Sequence, residues 1–409
     1  MEILLYIILG LSIGGILHSY IFYPLLLALL ARGKQGNRLV FERGDDWPQV
    51  SILMSAYNEE RVIGEKLESL SRLAYPEGKL QIFIGSDCSS DRTNELAAAY
   101  AARHPHFHFF PFEQRRGKPG VINELAQRAA ERWPAAPSHV YVITDASAML
   151  PPDSLRLMVR HFKNPQIGLV DSHLVHTGFQ PVGISRAEGS YISIEARLKH
   201  LESIVWGAMI GPFGAGYAVR ADCFAPVPPT FLVDDFYIAM KVFEQGRQCI
   251  NDLEAICYEG VSHEIAEEYR RKARISAGNF QNLAVFRHLW WPPLRPLNFA
   301  FFSHKVLRWL SPFFLFAALA TAGVLAGQGN LFGQLLFCVL AGALLLVPLA
   351  DGLLKSLNVN LLPLRGAHYF IKMNLALLAG FFKYIKGIRS NVWEPTKRNE
   401  SAGNQARHD

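Results

Sequence analysis

Apolar residues are distributed unevenly along the chain, and their spacing predicts two kinds of structure. Residues 3–31 contain no Asp, Glu, Lys or Arg, and long apolar runs return at about 304–326, 331–354 and 367–385. Between about residues 45 and 290, polar and apolar residues are mixed as in ordinary soluble proteins. Since about 20 consecutive apolar residues span a bilayer, this distribution predicts membrane helices on both sides of a soluble domain.

Within the soluble part, short apolar runs alternate with apolar residues at helical spacing. Four runs have the length and composition of buried strands: residues 49–56, 80–85, 107–111 and 140–144. Because the connections are short and polar, this alternation predicts a doubly wound parallel sheet. After residue 167 the pattern is mixed, with extended segments at 167–171 and 249–258, a glycine-rich loop leading into a strand at 211–220, and helices at 190–201, 234–243 and 267–287.

The first apolar segment predicts a transmembrane helix. A cleaved signal peptide is the alternative, but Met1-Glu2 supplies no cationic n-region and the apolar part is too long. Basic residues come after this segment, at Arg32, Lys34, Arg38 and Arg43. The positive-inside rule therefore predicts an amino terminus outside and a soluble domain in the cytoplasm.

The last apolar segment leaves the number of spans open, because it is basic on both flanks, at Arg365 and Lys383. Three spans would return the chain to the cytoplasm, whereas a fourth would put the basic tail outside. Two alternatives follow: this segment lies in the membrane interface, or the residues in the 350s dip into and out of the membrane.

These patterns predict four parts: an N-terminal transmembrane helix at 1–32, a cytoplasmic α/β domain at 45–285, an amphipathic interface with C-terminal transmembrane helices at 286–390, and a cytoplasmic tail at 391–409. The formal net charge of +6 comes mostly from the flanks of the membrane segments. No nucleic-acid-reading module is recognisable, so nucleic acid is not an expected partner. The five cysteines lack metal-ligand spacing and predict free thiols.

Acidic residues follow the predicted strands at positions where ligands commonly bind. Asp87 follows the second strand, Asp145 follows the fourth, and Asp234 and Asp235 begin a later helix. In an open α/β sheet, ligands bind at the carboxyl ends of the strands, and carboxylates gathered there repel each other unless a cation or a proton-transfer role compensates them. A divalent metal carrying a phosphorylated ligand is one such cation. Helix capping is the alternative, by Asp145 for a helix beginning near residue 151 and by Asp234 for the helix that follows it.

Five short motifs occur in an order that resembles the family-2 glycosyltransferases. They are Ala56-Tyr57-Asn58-Glu59, Gly85-Ser-Asp87-Cys-Ser-Ser-Asp91-Arg-Thr, Arg116-Gly-Lys118, Thr144-Asp145-Ala-Ser147 and Val233-Asp234-Asp235. The resemblance covers about residues 48–280 and implies a GT-A-type, Rossmann-like domain that binds a nucleotide sugar. The flanking membrane segments are similar to those of members that make exopolysaccharides, hyaluronan, cellulose, chitin or glycolipids.

The resemblance also implies roles for the residues of the first three motifs. Those that correspond to the nucleotide-sugar pocket are Ala56, Tyr57, Glu59, Asp87 and Lys118. Asp87 would hold the base or the ribose, since a carboxylate accepts hydrogen bonds from imide and hydroxyl donors. Lys118 would supply a cation near the nucleotide. Without the resemblance, a solvated charge in a loop is an equally good interpretation of this residue.

Asp145 corresponds to the first carboxylate of the family's Asp-x-Asp metal motif, and Ser147 replaces the second. A hydroxyl is a neutral and weaker ligand, so a Mg²⁺ or Mn²⁺ ion would be coordinated chiefly by Asp145, the diphosphate and water. Low metal affinity is therefore expected without the nucleotide.

Asp235 corresponds to the general base of an inverting reaction. In a single displacement, a carboxylate takes the proton from the acceptor hydroxyl while that hydroxyl attacks the anomeric carbon from the face opposite the nucleotide. Asp234 stands where the family has Glu, and its shorter side chain would polarise or position rather than react.

Two weaker similarities concern membrane-proximal residues. Arg271 and Arg274 lie in a run similar to the Gln-x-x-Arg-Trp motif of processive synthases, where arginine neutralises the diphosphate. Ile275 stands where the motif has Trp, and binding of anionic lipid headgroups is the alternative for this basic run. Trp393 and Arg398 faintly resemble a Trp-x-Thr-Arg pattern, which implies acceptor binding or gating.

The resemblance implies a multi-pass protein of a bacterial-type inner membrane that moves a sugar from a nucleotide-diphosphate sugar, with a UDP-sugar as the expected donor. The acceptor would be a growing exopolysaccharide or another membrane-bound molecule, and export partners would accompany polysaccharide synthesis. Transfer of one sugar to a lipid is an alternative that Ile275 favours. A non-catalytic membrane scaffold is a third alternative, which only Ser147 favours.

Overall fold

The computed structural model describes residues 2–134, 137–177, 184–260, 265–357, 359 and 361–391. The chain divides into two compact units. The helical unit comprises Met1–Leu30, Phe179–Ile194 and Ile265–Gly387. The sheet unit comprises Ala31–Gly178, Glu195–Glu264 and Ile388–Asp409.

The described part of the sheet unit contains one sheet of eight strands. They are β1 (Gln49–Ala56), β2 (Leu80–Asp87), β3 (Phe107–Phe112), β4 (His139–Asp145), β5 (Ala148–Met149), β6 (Ile167–Thr177), β7 (Gly216–Arg220) and β8 (Gln248–Gly260). Their order in the sheet is β3-β2-β1-β4-β7-β6-β8-β5. The four strands predicted from the apolar runs are β1 to β4, and they pair in parallel as predicted.

Beyond β4, where the sequence pattern is mixed, the sheet contains antiparallel as well as parallel pairs. Strand β7 runs antiparallel to both β4 and β6, and β5 runs antiparallel to β8. The physical reason is that the chain enters β7 at the edge where β4 ends: Ala215 O accepts the Asp145 N–H at 3.1 Å, and Gly216 pairs with Thr144. From that edge, β7 can only run back along β4.

The central strands are buried on both faces, which explains their continuous apolar runs. Neighbouring strand residues point to opposite faces, yet Ile52, Leu53 and Met54 of β1 are all 0% exposed, as are Val142 and Ile143 of β4. Strands covered on both faces are typical of parallel sheets with helices on each side. All five cysteines are free thiols, as predicted.

Fourteen α-helical segments lie in the described part of the chain. They are α1 (Glu2–Leu17), α2 (Tyr23–Leu30), α3 (Ile63–Ser71), α4 (Thr93–Ala101), α5 (Gly117–Arg132), α6 (Ser154–Val159), α7 (Ile184–Trp206), α8 (Asp234–Glu244), α9 (Ile265–Val285), α10 (Pro296–Phe301), α11 (Leu307–Trp309), α12 (Ser311–Gly327), α13 (Leu331–Ser356) and α14 (Leu362–Ile385). Two π-helical turns, His18–Phe22 and Phe302–Val306, join α1 to α2 and α10 to α11.

Two of the described helices are long and apolar enough to cross a membrane, Glu2–Leu30 and Leu331–Ser356. A third span results if Pro296–Trp309 and Ser311–Gly327, which are bent by 60° relative to each other, are counted as one. The α13 side chains that fit a lipid environment include Leu345 and Leu349, which are 67% and 69% exposed. Helix α14, which contains the last apolar segment, is not among these candidates.

Candidate active site

The carboxyl ends of β1, β2 and β4 meet at one edge of the sheet. Strand β1 ends at Ala56, which pairs with Ser86 beside Asp87, and Asp145 pairs with Ser55. The parallel register therefore brings Ala56, Asp87 and Asp145 to the same edge.

The loops after β1 and β2 are joined by hydrogen bonds. Asn58 Oδ1 accepts the Ser90 N–H at 2.8 Å, and the Glu59 N–H donates to Thr93 Oγ1 at 2.8 Å. Asn58 and Cys88 have positive φ angles of 52° and 61°, a conformation that is costly for residues other than glycine. Such local strain is tolerated where surrounding contacts hold a functional loop in place.

Asp87 is buried in this loop region and binds the beginning of α5. Its carboxylate accepts the Arg116 N–H at 2.6 Å, the Gly117 N–H at 3.1 Å and Arg115 Nε at 3.0 Å. The Arg115 guanidinium carbon lies 3.3 Å from the centroid of the Tyr57 ring. Two of the residues predicted to line the pocket, Tyr57 and Asp87, are thus linked by Arg115. The sequence prediction missed Arg115 because the recognised motif begins one residue later.

Lys118 joins two of the predicted acidic residues. Its Nζ lies 2.6 Å from Asp145 Oδ1 and 3.8 Å from Asp234 Oδ2. Burial alone would lower the pKa of Lys118, but the negative charges of Asp145 and Asp234 outweigh burial and raise it. Lys118 is therefore a permanent cation between two carboxylates, rather than a solvated loop charge.

The helix-capping alternatives for the acidic residues are wrong. Helix α6 begins at Ser154, after the intervening strand β5, so Asp145 does not cap it. Helix α8 begins with Asp234 itself, and no side chain caps it.

Asp235 lies in the first turn of α8, next to Asp234. Its Oδ1 accepts the Phe236 N–H at 2.7 Å. Burial and the charge of Asp234 raise the pKa of Asp235 to about 6, although Lys118 opposes this shift. On its other side, Asp235 faces Gly214, whose φ is +85° and on which a Cβ would lie 2.5 Å from Asp235 Oδ2. Glycine is required at residue 214 for its conformation and for this close approach.

The Gly214→Ala variant is expected to lose at least about tenfold in turnover, because the added Cβ would push the Asp235 carboxylate from its place. In the role that the motif implies for Asp235, small misplacements are costly. The measurement is the steady-state rate of sugar transfer. Gly246→Ala is the matched control, since Gly246 also has a positive φ, of +72°, but a Cβ there meets nothing within 4 Å. Equal rates for the two variants would contradict the conclusion that Gly214 is needed to place the Asp235 carboxylate.

The donor set for a metal consists of one carboxylate and one hydroxyl. The Asp145 side chain is 33% exposed at the strand end, and Ser147 is half-buried in the turn that follows. No group of three or more His, Cys, Asp or Glu residues in the described part of the chain could hold a metal ion. These residues fit Mg²⁺ or Mn²⁺ only as a partial site, in which diphosphate oxygens and water supply the other ligands.

Lys66 supports the turn that carries these two residues and was not predicted from sequence. Its fully buried Nζ donates to Thr144 Oγ1 at 2.9 Å and to Ala148 O, on either side of Asp145 and Ser147. Burial lowers the pKa of Lys66 to about 8. The sequence carried a weak signal, namely a lysine within the buried face of α3.

The remaining predicted residues belong to α9 and to the tail. Arg271 and Arg274 are half-buried residues of α9, in the helical unit. Trp393 and Arg398 lie outside the described residues. Just before them, Asn391 is 4% exposed and lies so close to Gly117 that a Cβ on the glycine would collide with its side chain. The chain that leads into the tail therefore contacts the beginning of α5, next to Lys118.

Comparison with known proteins identifies the family. The family model "Glycosyl transferase family 2" matches residues 51–216, and "Glycosyl transferase family group 2" matches residues 140–355. The poly-beta-1,6-N-acetyl-D-glucosamine synthase of Staphylococcus epidermidis is 30% identical over 67% of this chain and 68% of its own length. The beta-monoglucosyldiacylglycerol synthase of Synechocystis sp. is 25% identical over 65% of this chain and 55% of its own length.

Among solved structures, the mannosyltransferase PcManGT from Pyrobaculum calidifontis, in complex with GDP-Man and Mn²⁺, has a TM-score of 0.67. It is 23% identical, and the match covers 92% of this chain and 99% of that one. This likeness confirms the predicted α/β glycosyltransferase fold.

The chain belongs to glycosyltransferase family 2. Its activity is the transfer of a sugar from a nucleotide-sugar donor, as the motifs had implied.

Proposed function

We propose that this protein is a metal-dependent, inverting glycosyltransferase of a bacterial-type inner membrane, and that its donor is a UDP-sugar. The observation that carries this proposal is the cluster at the sheet edge, where Lys118 lies 2.6 Å from Asp145 and 3.8 Å from Asp234, next to Asp235. Three carboxylates and one ammonium at the ligand-binding edge suit a donor that carries a diphosphate and a metal ion.

The donor's nucleotide would occupy the loops after β1 and β2. Tyr57 offers a ring for the base, Asp87 accepts hydrogen bonds from the base or ribose, and Ala56 and Glu59 border the same loop. Asp145 and Ser147 would hold the Mg²⁺ or Mn²⁺ ion, which when bound neutralises diphosphate charge. Lys118, a cation beside Asp145, would bind the diphosphate directly.

Asp235 is the proposed general base. It would take the proton from the acceptor hydroxyl as the hydroxyl oxygen forms a bond to the anomeric carbon and the bond to the diphosphate breaks. Attack from the face opposite the leaving group inverts the configuration at that carbon. Asp234, held near Lys118, would position this base rather than exchange the proton.

The basic residues of α9 have two possible roles. Arg271 and Arg274 would neutralise the diphosphate by bidentate contacts if they act as the arginine of the processive synthases does. Binding of anionic lipid headgroups is the alternative. Substituting both by glutamine separates these roles: a raised KM for the donor supports the first, and weaker binding to anionic vesicles alone supports the second.

Sugar transfer is expected to lose activity in acid. A base acts only as the carboxylate, and burial raises the pKa of Asp235 to about 6. The rate should therefore rise as the pH rises through about 6, reach a plateau near neutrality, and fall about tenfold for each pH unit below the pKa. The measurement is kcat/KM as a function of pH, which reports the pKa values of the free enzyme. A rate that is constant down to about pH 4 would contradict the assignment of Asp235.

The acceptor is proposed to be a growing exopolysaccharide or another membrane-bound molecule. One relative is named as a polysaccharide synthase and another as a glycolipid synthase, so the relatives of this chain support both kinds of acceptor. Ile275 favours a single transfer to lipid, because it lacks the aromatic ring that a sugar stacks on. Incorporation of radiolabelled sugar, followed by sizing of the product, decides between them: a ladder of long chains supports polysaccharide synthesis and a single lipid-soluble product supports the alternative.

The membrane arrangement is proposed from the apolar helices. Glu2–Leu30 and Leu331–Ser356 would span the bilayer, together with the bent pair from Pro296 to Gly327. Three spans would leave the tail in the cytoplasm, where Trp393 and Arg398 could serve acceptor binding or gating. Export partners are proposed to accompany polysaccharide synthesis in this arrangement. A fluorescent reporter at the carboxyl terminus tests the topology, since it matures in the cytoplasm and not outside.

A further inference from the structure

A buried ion pair lies beside the active site and belongs to none of the recognised motifs. Asp171 on β6 is 0% exposed, and Lys199 on α7 is 2% exposed, with 3.6 Å between Lys199 Nζ and Asp171 Oδ2. Removing two charges from water is costly, and their attraction offsets that cost only when the geometry is excellent. A pair of this kind is therefore weak evidence for stability, and its contacts indicate what else it does.

The contacts of the pair converge on Phe213. The Phe213 N–H donates to both oxygens of the Asp171 carboxylate, at 3.3 and 3.1 Å. Lys199 Nζ lies 3.4 Å from the centroid of the Phe213 ring, which is a close cation–π contact. Phe213 is thus held through its backbone by the anion and through its ring by the cation.

The next two residues contact the catalytic groups. Gly214 lies against the Asp235 carboxylate, so that a Cβ there would be 2.5 Å from Oδ2. Ala215 O accepts the Asp145 N–H at 3.1 Å and Thr144 Oγ1 at 2.9 Å. The loop Phe213–Ala215 therefore connects the ion pair, the proposed base and the proposed metal ligand within three residues.

We propose that Asp171 and Lys199 are positioning residues, which anchor the loop Phe213–Ala215 and through it hold Asp235 where it can take the acceptor's proton. This inference rests on the proposed role of Asp235 as the general base. Because Gly214 lies against Asp235, the larger effect of disturbing this loop falls on turnover, with a smaller effect on donor binding through Asp145.

The first test compares single substitutions at Lys199. Lys199→Met removes the cation from the Phe213 ring and should lower kcat roughly 10–100-fold, because displacements of about 1 Å at a reacting group have effects of that size. The dissociation constant for UDP, measured by titration calorimetry with Mn²⁺, should change much less than kcat. Lys199→Arg keeps a cation over the ring and should recover most of the rate. Unchanged turnover in Lys199→Met would overturn the proposal.

The second test separates positioning from stability. In Asp171→Leu/Lys199→Met both charges are replaced by apolar groups, a change that often leaves folding intact or improves it. The thermal midpoint of this double variant should be close to that of the wild type. Its kcat should still be low, because Phe213 remains unanchored. If the double variant had both the thermal midpoint and the kcat of the wild type, the pair would have only a structural role.

The third test shows whether the pair acts through the base. In an Asp235→Asn background, Lys199→Met should not lower the residual rate further, since residues that act as one unit are not additive. An equal loss with and without Asp235 would refute action through this residue. Failure of the proposed function is a different result, namely full turnover in Asp235→Asn alone.

The matched control is Asp252→Asn, which breaks the Arg160–Asp252 ion pair of the same unit and should leave kcat unchanged.

Discussion

Replacing Asp235 by Asn is expected to reduce sugar transfer by roughly 10²–10⁴-fold, the usual contribution of a general base. Asparagine has nearly the same volume and can keep the 2.7 Å hydrogen bond from the Phe236 N–H, so the helix and the loop at Gly214 should be undisturbed. What is lost is the ability to accept a proton. Binding of the nucleotide sugar should therefore change little.

The measurement pairs kcat with the dissociation constant of the donor. Glu244→Gln is the control, because Glu244 is an acidic residue at the far end of the same helix, where it pairs with Lys241 at 2.7 Å. The control should keep wild-type turnover. If Asp235→Asn retained wild-type turnover, another group would have to take the proton.

Asp145→Asn is expected to have the second large effect, with a loss of at least about 10²-fold in metal-dependent turnover, because a bound metal supplies several kcal/mol of charge stabilisation. In contrast to Asp235→Asn, this substitution should also weaken donor binding. Asp145 is the single carboxylate of its motif, and its replacement leaves Ser147 and the diphosphate as the remaining ligands. The same change removes the negative charge that pairs with Lys118 at 2.6 Å.

Titration of donor binding against Mn²⁺ measures this effect. Ser147→Ala should weaken the metal dependence much less than Asp145→Asn, since it removes a neutral ligand, and Ser147→Asp should lower the Mn²⁺ concentration needed for half-maximal binding. A Mn²⁺ dependence in Asp145→Asn equal to that of the wild type would mean that the metal is held elsewhere.

Much of the fold was predictable because its signals are local. The apolar runs at 49–56 and 140–144 have the composition of strands buried on both faces, and the structure has β1 and β4 there. The apolar helices were predictable for the same reason. The direction of β7 was not, because it depends on where the loop through Ala215 meets the end of β4. That contact joins residues 71 positions apart.

The residues of the proposed site were chosen from motifs, but their connections were not predictable. The order of the motifs singled out Asp87, Asp145 and Asp235, whereas no pattern along the chain shows that Lys118 lies between Asp145 and Asp234. The supporting residues, Lys66 and Lys199 among them, were missed for a related reason. A lysine in a helix is ordinarily a solvated surface residue, and only tertiary contacts show that these two are buried.

The central claim is that the acidic sheet edge binds a nucleotide sugar together with a metal held by Asp145, beside the base Asp235. The most direct test is an experimental structure of the protein soaked with a UDP-sugar and Mn²⁺, with the metal located by its anomalous scattering. The account predicts a manganese peak at coordination distance from the Asp145 carboxylate and the diphosphate, with the anomeric carbon facing Asp235. A nucleotide bound at this edge without a metal peak at Asp145, or with its sugar turned away from Asp235, would contradict it.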